Sequence, residues 1–175
     1  MITTKRLLLR DLTHSDLDSL TTMFSSPDVM RFIGPRRPMS KAESADWLQH
    51  QMALQGQGTA RRGVALQEND LLIGICGFQW INEEWDFGYY FRQEYWGNGY
   101  AQEACQAILK KKSSIIGNER FSVFIADNNL PSKALISKLG FVRKKKTTKS
   151  GEGGAYYFLP SPFPTKLQQD IILDK

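Results

Sequence analysis

The chain has 175 residues, 41% of them apolar and 23% charged, with two cysteines, two histidines and a formal charge of +5. That is the length of one ordinary domain, and the composition is neither that of a disordered chain nor that of a small disulfide-stapled one. No apolar run reaches the roughly 20 residues of a membrane span and the N-terminus has no signal-peptide apolar stretch, so a soluble, cytoplasmic protein is expected.

Lys5-Arg6-Leu7-Leu8-Leu9-Arg10 reads as a short strand. Thr13 and Asp16 form a T-x-x-D capping box opening a helix through Leu17, Leu20, Met23 and Phe24, which Pro27 ends. Ser40 and Glu43 form a second box, opening a helix with Trp47, Leu48, Met52 and Ala53 at helical spacing. Gly63–Gln67 and Leu71–Trp80 then predict a hairpin about the turn Glu68-Asn69-Asp70, and Glu83-Glu84 turns into a third strand, Trp85–Phe91. Ala101, Ala104, Cys105, Ile108 and Leu109 recur as the apolar face of a helix, and Phe121–Ala126 is β-prone. Ser132 is expected to cap a short helix that Gly140 closes. Phe141–Thr147 and Ala155–Leu159 are two more strands, joined by Ser150-Gly151-Glu152-Gly153-Gly154. The order predicts a mixed α/β domain around one sheet, antiparallel in its middle, over residues 1–160, with a proline-headed tail at 161–175.

The charge is uneven. Residues 102–149 carry a net +8, against −2 before them and −1 after. A field of that sign suits a phosphorylated ligand, nucleic acid or an acidic surface, or is simply a solvated face. With no RNA-binding motif or interleaved aromatics, nucleic acid is the least favoured. Lys110-Lys111-Lys112 and Arg143-Lys144-Lys145-Lys146 are expected to be mostly solvated. Cys76 and Cys105 lie in apolar stretches, with no C-x-x-C spacing and no nearby histidine, so they read as buried thiols, and no metal site is expected.

The segment with the strongest chemical signal is Phe87–Ile108, read as strand, glycine loop and helix. Gly97 and Gly99 free the backbone to turn tightly, and the following helix directs its dipole and its unpaired N–H groups at the same point. Together they suit a phosphate or pyrophosphate. Two nucleotide motifs fail: Gln102 stands where a dinucleotide fingerprint needs its third glycine, and no G-x-x-x-x-G-K-[ST] string occurs.

Tyr95-Trp96-Gly97-Asn98-Gly99-Tyr100-Ala101-Gln102-Glu103-Ala104 resembles motif A of the GNAT superfamily of N-acetyltransferases. Thr4–Arg10, Asp28–Gly34 and Asn129–Ser132 through Lys138–Phe141 also resemble its ribosomal-protein N-acetyltransferase-like (RimJ/RimL) branch, in the same order, so that the likeness spans residues 3–159. The resemblance implies a single GNAT-like domain with a mixed, mostly antiparallel sheet of about seven strands and about four helices.

It also implies a site. The backbone of Tyr89, Tyr90 and Phe91 would run along the pantetheine arm of acetyl-CoA, and the segment Trp96, Gly97, Asn98, Gly99, Tyr100 and Ala101 would hold the pyrophosphate through its backbone amides. Asn129 and Ser132 would contact the cofactor, Ser132 near the thiol end. Trp96 replaces the Gln or Arg that opens the superfamily's phosphate pattern. A primary amine, from a protein N-terminus or a small molecule, would attack the thioester directly after losing a proton to Asp86, to Glu83 or Glu84, or to water. Ile136 occupies the place of the family's usual tyrosine acid, leaving Ser132 or water to assist the thiolate. The alternative is an acyl-CoA-binding protein of this fold with weak turnover. Acetyl-CoA and an amine are the expected partners, without metal or membrane, and a homodimer is left open.

Overall fold

Both capping boxes open helices. The Asp16 carboxylate accepts from the Thr13 N–H at 2.8 Å, and a 3-10 turn at His14–Asp16 leads into α1 (Leu17–Ser25). Ser26 accepts from the Val29 N–H at 3.4 Å and starts a single turn, α2 (Pro27–Met30). Ser40 and Glu43 exchange bonds of 3.2 and 2.8 Å at the head of α3 (Lys41–Gly56).

The structure, a computed structural model, describes residues 1–149 and 151–160, so the expected tail at 161–175 lies outside the described residues. The strands are β1 (Ile2–Thr3), β2 (Leu7–Arg10), β3 (Arg62–Leu66), β4 (Leu72–Ile81), β5 (Glu84–Phe91), β6 (Phe121–Ala126), β7 (Val142–Lys149) and β8 (Glu152–Phe158). The remaining helices are α4 (Tyr100–Lys110), α5 (Lys112–Ile116) and α6 (Leu130–Lys138). The strands form one open sheet in the order β1-β2-β3-β4-β5-β6-β8-β7. Every pairing is antiparallel except β5 with β6. The structure thus adds β1 to the seven expected strands and the short α2 and α5 to the expected helices. Gly153 and Gly154, read as linker, belong to β8.

Each face of the sheet has its own core. On one, α4 buries Ala104, Cys105, Ile108 and Leu109 against Leu7, Leu9, Val64, Ile73, Phe78 and Phe87, with Ile136 of α6 and its C-cap residue Leu139 beside them. On the other, α1, α2 and α3 bury Leu20, Met23, Phe24, Val29, Met30 and Leu48 against Leu72 and Ile75. Along β5 the side chains alternate, with Phe87 and Phe91 in the first core and Tyr90 against the second.

Because β5 and β6 are parallel, the chain must cross over between them, and α4 is that crossover. The two strands pair only at Trp85↔Phe121 and Asp86↔Ser122, after which β6 pairs with β8 instead. Beyond Asp86 the sheet therefore splits, with the far half of β5 on one side and β6 and α6 on the other.

Candidate active site

The split opens at the C-terminal end of a parallel strand, where the next helix begins; α/β sheets bind ligands at such places. From Phe91 the chain makes a 3-10 turn at Gln93–Tyr95, passes Trp96-Gly97-Asn98-Gly99 and enters α4. Gly97 and Gly99 have φ of +76° and +79°, the left-handed region that favours glycine. A Cβ on Gly97 would meet nothing within 4 Å, so the loop's outer face is open. Among the described residues no hydrogen bond engages the N–H groups of Gly97–Ala101. Those amides, reinforced by the helix dipole, form a donor array suited to an anion.

Trp96 shapes this loop and is half exposed, at 48%, rather than core. Its indole N–H donates to the Phe91 carbonyl at 2.8 Å, and the Asn98 amide donates to the Trp96 carbonyl at 3.0 Å. On the β4 side Arg92 N–H bonds the Ile73 carbonyl, so alternate residues 90, 88 and 86 turn their peptide groups toward β4. Tyr89 and Phe91 then present theirs to the split. With the Phe91 carbonyl taken by Trp96, the remaining edge groups are the Tyr89 N–H and C=O and the Phe91 N–H. Tyr90 lies along the same strand, but its peptide groups face β4.

Across the split, Asn129 rather than Ser132 caps α6, its side chain accepting from the Ser132 N–H at 3.2 Å. The expectation for Ser132 fails because Pro131 sits comfortably inside a first turn, which moves the cap two residues upstream of the proline. The helix closes as expected. Gly140 has φ +85°, and the Gly140 and Phe141 amides return to the Ser137 and Ile136 carbonyls, each at 3.0 Å. Ser132 faces β5, its carbonyl accepting from the Tyr89 hydroxyl at 3.4 Å. Burial pushes that hydroxyl above the usual tyrosine range. Ile136 is fully packed, 1% exposed, and brings no titratable group.

Asp86 sits where the strands part. Its carboxylate is ion-paired with the buried guanidinium of Arg61, which also donates to Gln79 on the neighbouring strand. The Arg61 side chain lies flat on Gly88; a Cβ there would stand 2.6 Å from Nε. Arg61 Nε has no partner among the described residues. Glu83, at φ +65°, and Glu84 are exposed at the β4–β5 turn. On the same side of the sheet, Arg36 from the α2–α3 connection bonds Glu152 at 2.9 Å and the Lys149 carbonyl at 3.0 Å, clasping that connection to the β7–β8 hairpin.

The lysine runs do not gather at the split. Lys112 is buried and donates to the Gly117 carbonyl at 2.7 Å, while Lys133 is bound to Asp127. Lys144, Lys145 and Lys146 are exposed on β7, the last strand of the sheet, where charge discourages edge-to-edge pairing. Cys76 and Cys105 are both buried, with sulfurs 3.7 Å apart. Among the described residues, no group of three or more His, Cys, Asp or Glu side chains could hold a metal ion. Sequence reading missed Arg6, Glu103, Arg61 and Arg36. Arg6 lies in the T-x-R-L-x-L-R string and Glu103 in the Tyr95–Ala104 motif, but neither string says anything of their contacts.

The family model described as "Acetyltransferase (GNAT) domain" matches residues 6–142. A protein named as the uncharacterized N-acetyltransferase p20 of Bacillus licheniformis is 30% identical over 146 residues, covering 81% of this chain and 82% of its own. A crystal structure of a GNAT-family acetyltransferase from Bacillus anthracis superposes with a TM-score of 0.75 at 25% identity, covering 90% of this chain and 95% of that one. A ribosomal L7/L12 alpha-N-protein acetyltransferase solved with coenzyme A shares the fold at 16% identity, with a TM-score of 0.71 over 88% of this chain and 92% of that one.

Proposed function

The chain belongs to the acetyltransferase (GNAT) family, and on that premise we propose that it transfers an acetyl group from acetyl-CoA to a primary amine by direct attack on the thioester. The observation that carries the reading is the donor array of Gly97–Ala101 at the mouth of the split sheet. Those amides take the pyrophosphate, and the open edge at Tyr89 and Phe91 takes the pantetheine arm as an added strand would. Asn129, at the cap of α6, contacts the cofactor, and Ser132 lies near its thiol end.

In the reaction the amine nitrogen bonds to the acetyl carbon, the carbon–sulfur bond breaks, and the thiolate leaves. The amine's proton passes to Asp86, directly or through water, with Arg61 fixing the carboxylate's orientation. Ser132, or water, meets the departing thiolate. Aromatic residues of β5 and the segments around 25–40 and 80–86 border the acceptor side. The chain sits beside the RimJ/RimL-type branch, a reading supported by the T-x-R-L-x-L-R opening and by fold neighbours, and acts in the cytoplasm as a domain spanning residues 1–160.

A screen of N-terminal peptides and small amines, read by thiol release from acetyl-CoA, tests this. Turnover with at least one class is expected, and absence of both acetyl-CoA binding and thiol release would overturn it. The second reading, an acyl-CoA binder with weak turnover, is favoured by Ile136 and by the engagement of Asp86 with Arg61. Tight binding without thiol release would select it.

A further inference from the structure

One side chain from the far end of the sequence meets the anion loop at several points. Arg6, on the flank of β2, donates from Nη1 to the Asn98 carbonyl at 3.0 Å. Its guanidinium lies 4.3 Å above the Tyr100 ring, and Nη2 stands 3.6 Å from the place a Cβ on Gly99 would occupy. The guanidinium is itself held. Glu103, in the first turn of α4, accepts from Arg6 Nε at 2.8 Å, from the Arg6 backbone N–H at 2.9 Å and from the Thr4 hydroxyl at 2.6 Å. Glu103 has only 19% of its side chain exposed, so this carboxylate is a fixed post rather than a mobile surface group.

These contacts tie Asn98 and Tyr100, on either side of Gly99, to the segment that leads into β2. The loop's own side chains offer less. Trp96 turns its indole back to Phe91, and Asn98 turns its amide back to Trp96. Since Glu103 offsets the charge of Arg6, the contribution is one of geometry more than of field: a planar guanidinium that donates from Nε to Glu103 and from Nη1 to the Asn98 carbonyl fixes directions as well as distance.

We propose that Arg6 is a positioning residue for the phosphate-facing loop, setting the directions of the Gly97–Ala101 amides through Asn98, Tyr100 and Glu103. The inference rests on the reading of that loop as the seat of the CoA pyrophosphate. It assigns the segment between β1 and β2 a part in ligand binding although that segment lies outside the split.

The test is calorimetric titration with CoA, followed by displacement with inorganic pyrophosphate and, separately, with pantetheine. Arg6→Met is expected to weaken CoA about tenfold, the scale of one lost charge-assisted contact, and to weaken pyrophosphate in parallel while pantetheine is unaffected. Glu103→Gln should move the same way, and Arg6→Lys should recover only part, because one ammonium cannot hold Asn98, Tyr100 and Glu103 together. These two milder variants, each with its melting temperature measured, decide the matter if Arg6→Met does not fold. Equal weakening of pyrophosphate and pantetheine would mean general loosening, and unchanged CoA binding in all three variants would mean no role. Full recovery in Arg6→Lys would mean charge rather than geometry. Each of these overturns the proposal. Wild-type protein that ignores CoA would instead remove the reading of the loop, and the proposal with it.

Discussion

At Gly88 the absence of a side chain is a packing requirement. The Arg61 guanidinium rests on that residue in the middle of the sheet, and a methyl group would have to displace buried, ion-paired nitrogen atoms. Gly88→Ala should therefore cost about 1–3 kcal/mol, the usual penalty of overpacking, read as a lower urea midpoint at unchanged slope. Asp86→Asn should lower turnover by well over tenfold if Asp86 takes the proton, measured below the unfolding temperature so that loss of the Arg61 pair is not mistaken for chemistry; unchanged turnover would deny it that role. Asp86 entered from the sequence only as one of the proton acceptors that the family resemblance implies. Arg61 did not enter, because nothing in the order of residues says that a side chain leading into β3 will cross β4 to lie on a glycine of β5.

Helix ends were the most legible elements, since a cap is chemistry between residues three apart. T-x-x-D and S-x-x-E each open a helix where read, and Gly140 closes α6. The miss at α6 has a physical cause: asparagine and serine are both good caps, and the proline between them favours the earlier one. Asn129→Ala should thus lower stability by about 1 kcal/mol, whereas Ser132→Ala should stay within about 0.5 kcal/mol in thermal unfolding while reducing turnover. The two-residue β1 and the single-turn α2 and α5 carry no periodicity of their own. Tertiary contacts define them, so pattern reading passed over them.

Two carboxylates hold the N-terminal segment in place, Asp16 from within it and Glu103 from α4. At Asp16 and Glu103 burial acts to raise the pKa, but hydrogen bonds from Arg10 and Thr13 to the first, and from Thr4 and Arg6 to the second, outweigh it and hold both below their ordinary values of 3.8 and 4.5. Glu43, bound by Arg37 and Ser40, is held at about 2. Folded values below unfolded ones mean stability that is fully present above pH 4.5 and is lost as protons bind the native state. Urea midpoints should therefore be flat down to about pH 5 and fall from 4.5 toward 2, and Glu103→Gln should blunt that fall.

For the molecule as a whole, the alternation of strands and helices made the mixed sheet legible. The split was not, because where two parallel strands part depends on what packs between them. Nor did sequence show that Arg36 clasps the α2–α3 connection to the β7–β8 hairpin; Arg36→Ala should speed amide exchange at residues 31–39 without moving the melting temperature by more than about 2 °C. The +8 stretch turns out to supply an edge strand of lysines and internally satisfied ones, not a cluster at the split. What the split offers an anion is backbone, and backbone amides can be watched one by one. Titrating ¹⁵N-labelled protein with CoA should shift the amides of Gly97–Ala101 most, with Tyr89 and Phe91 following; shifts confined to the lysines of β7, or none at all, would contradict the account.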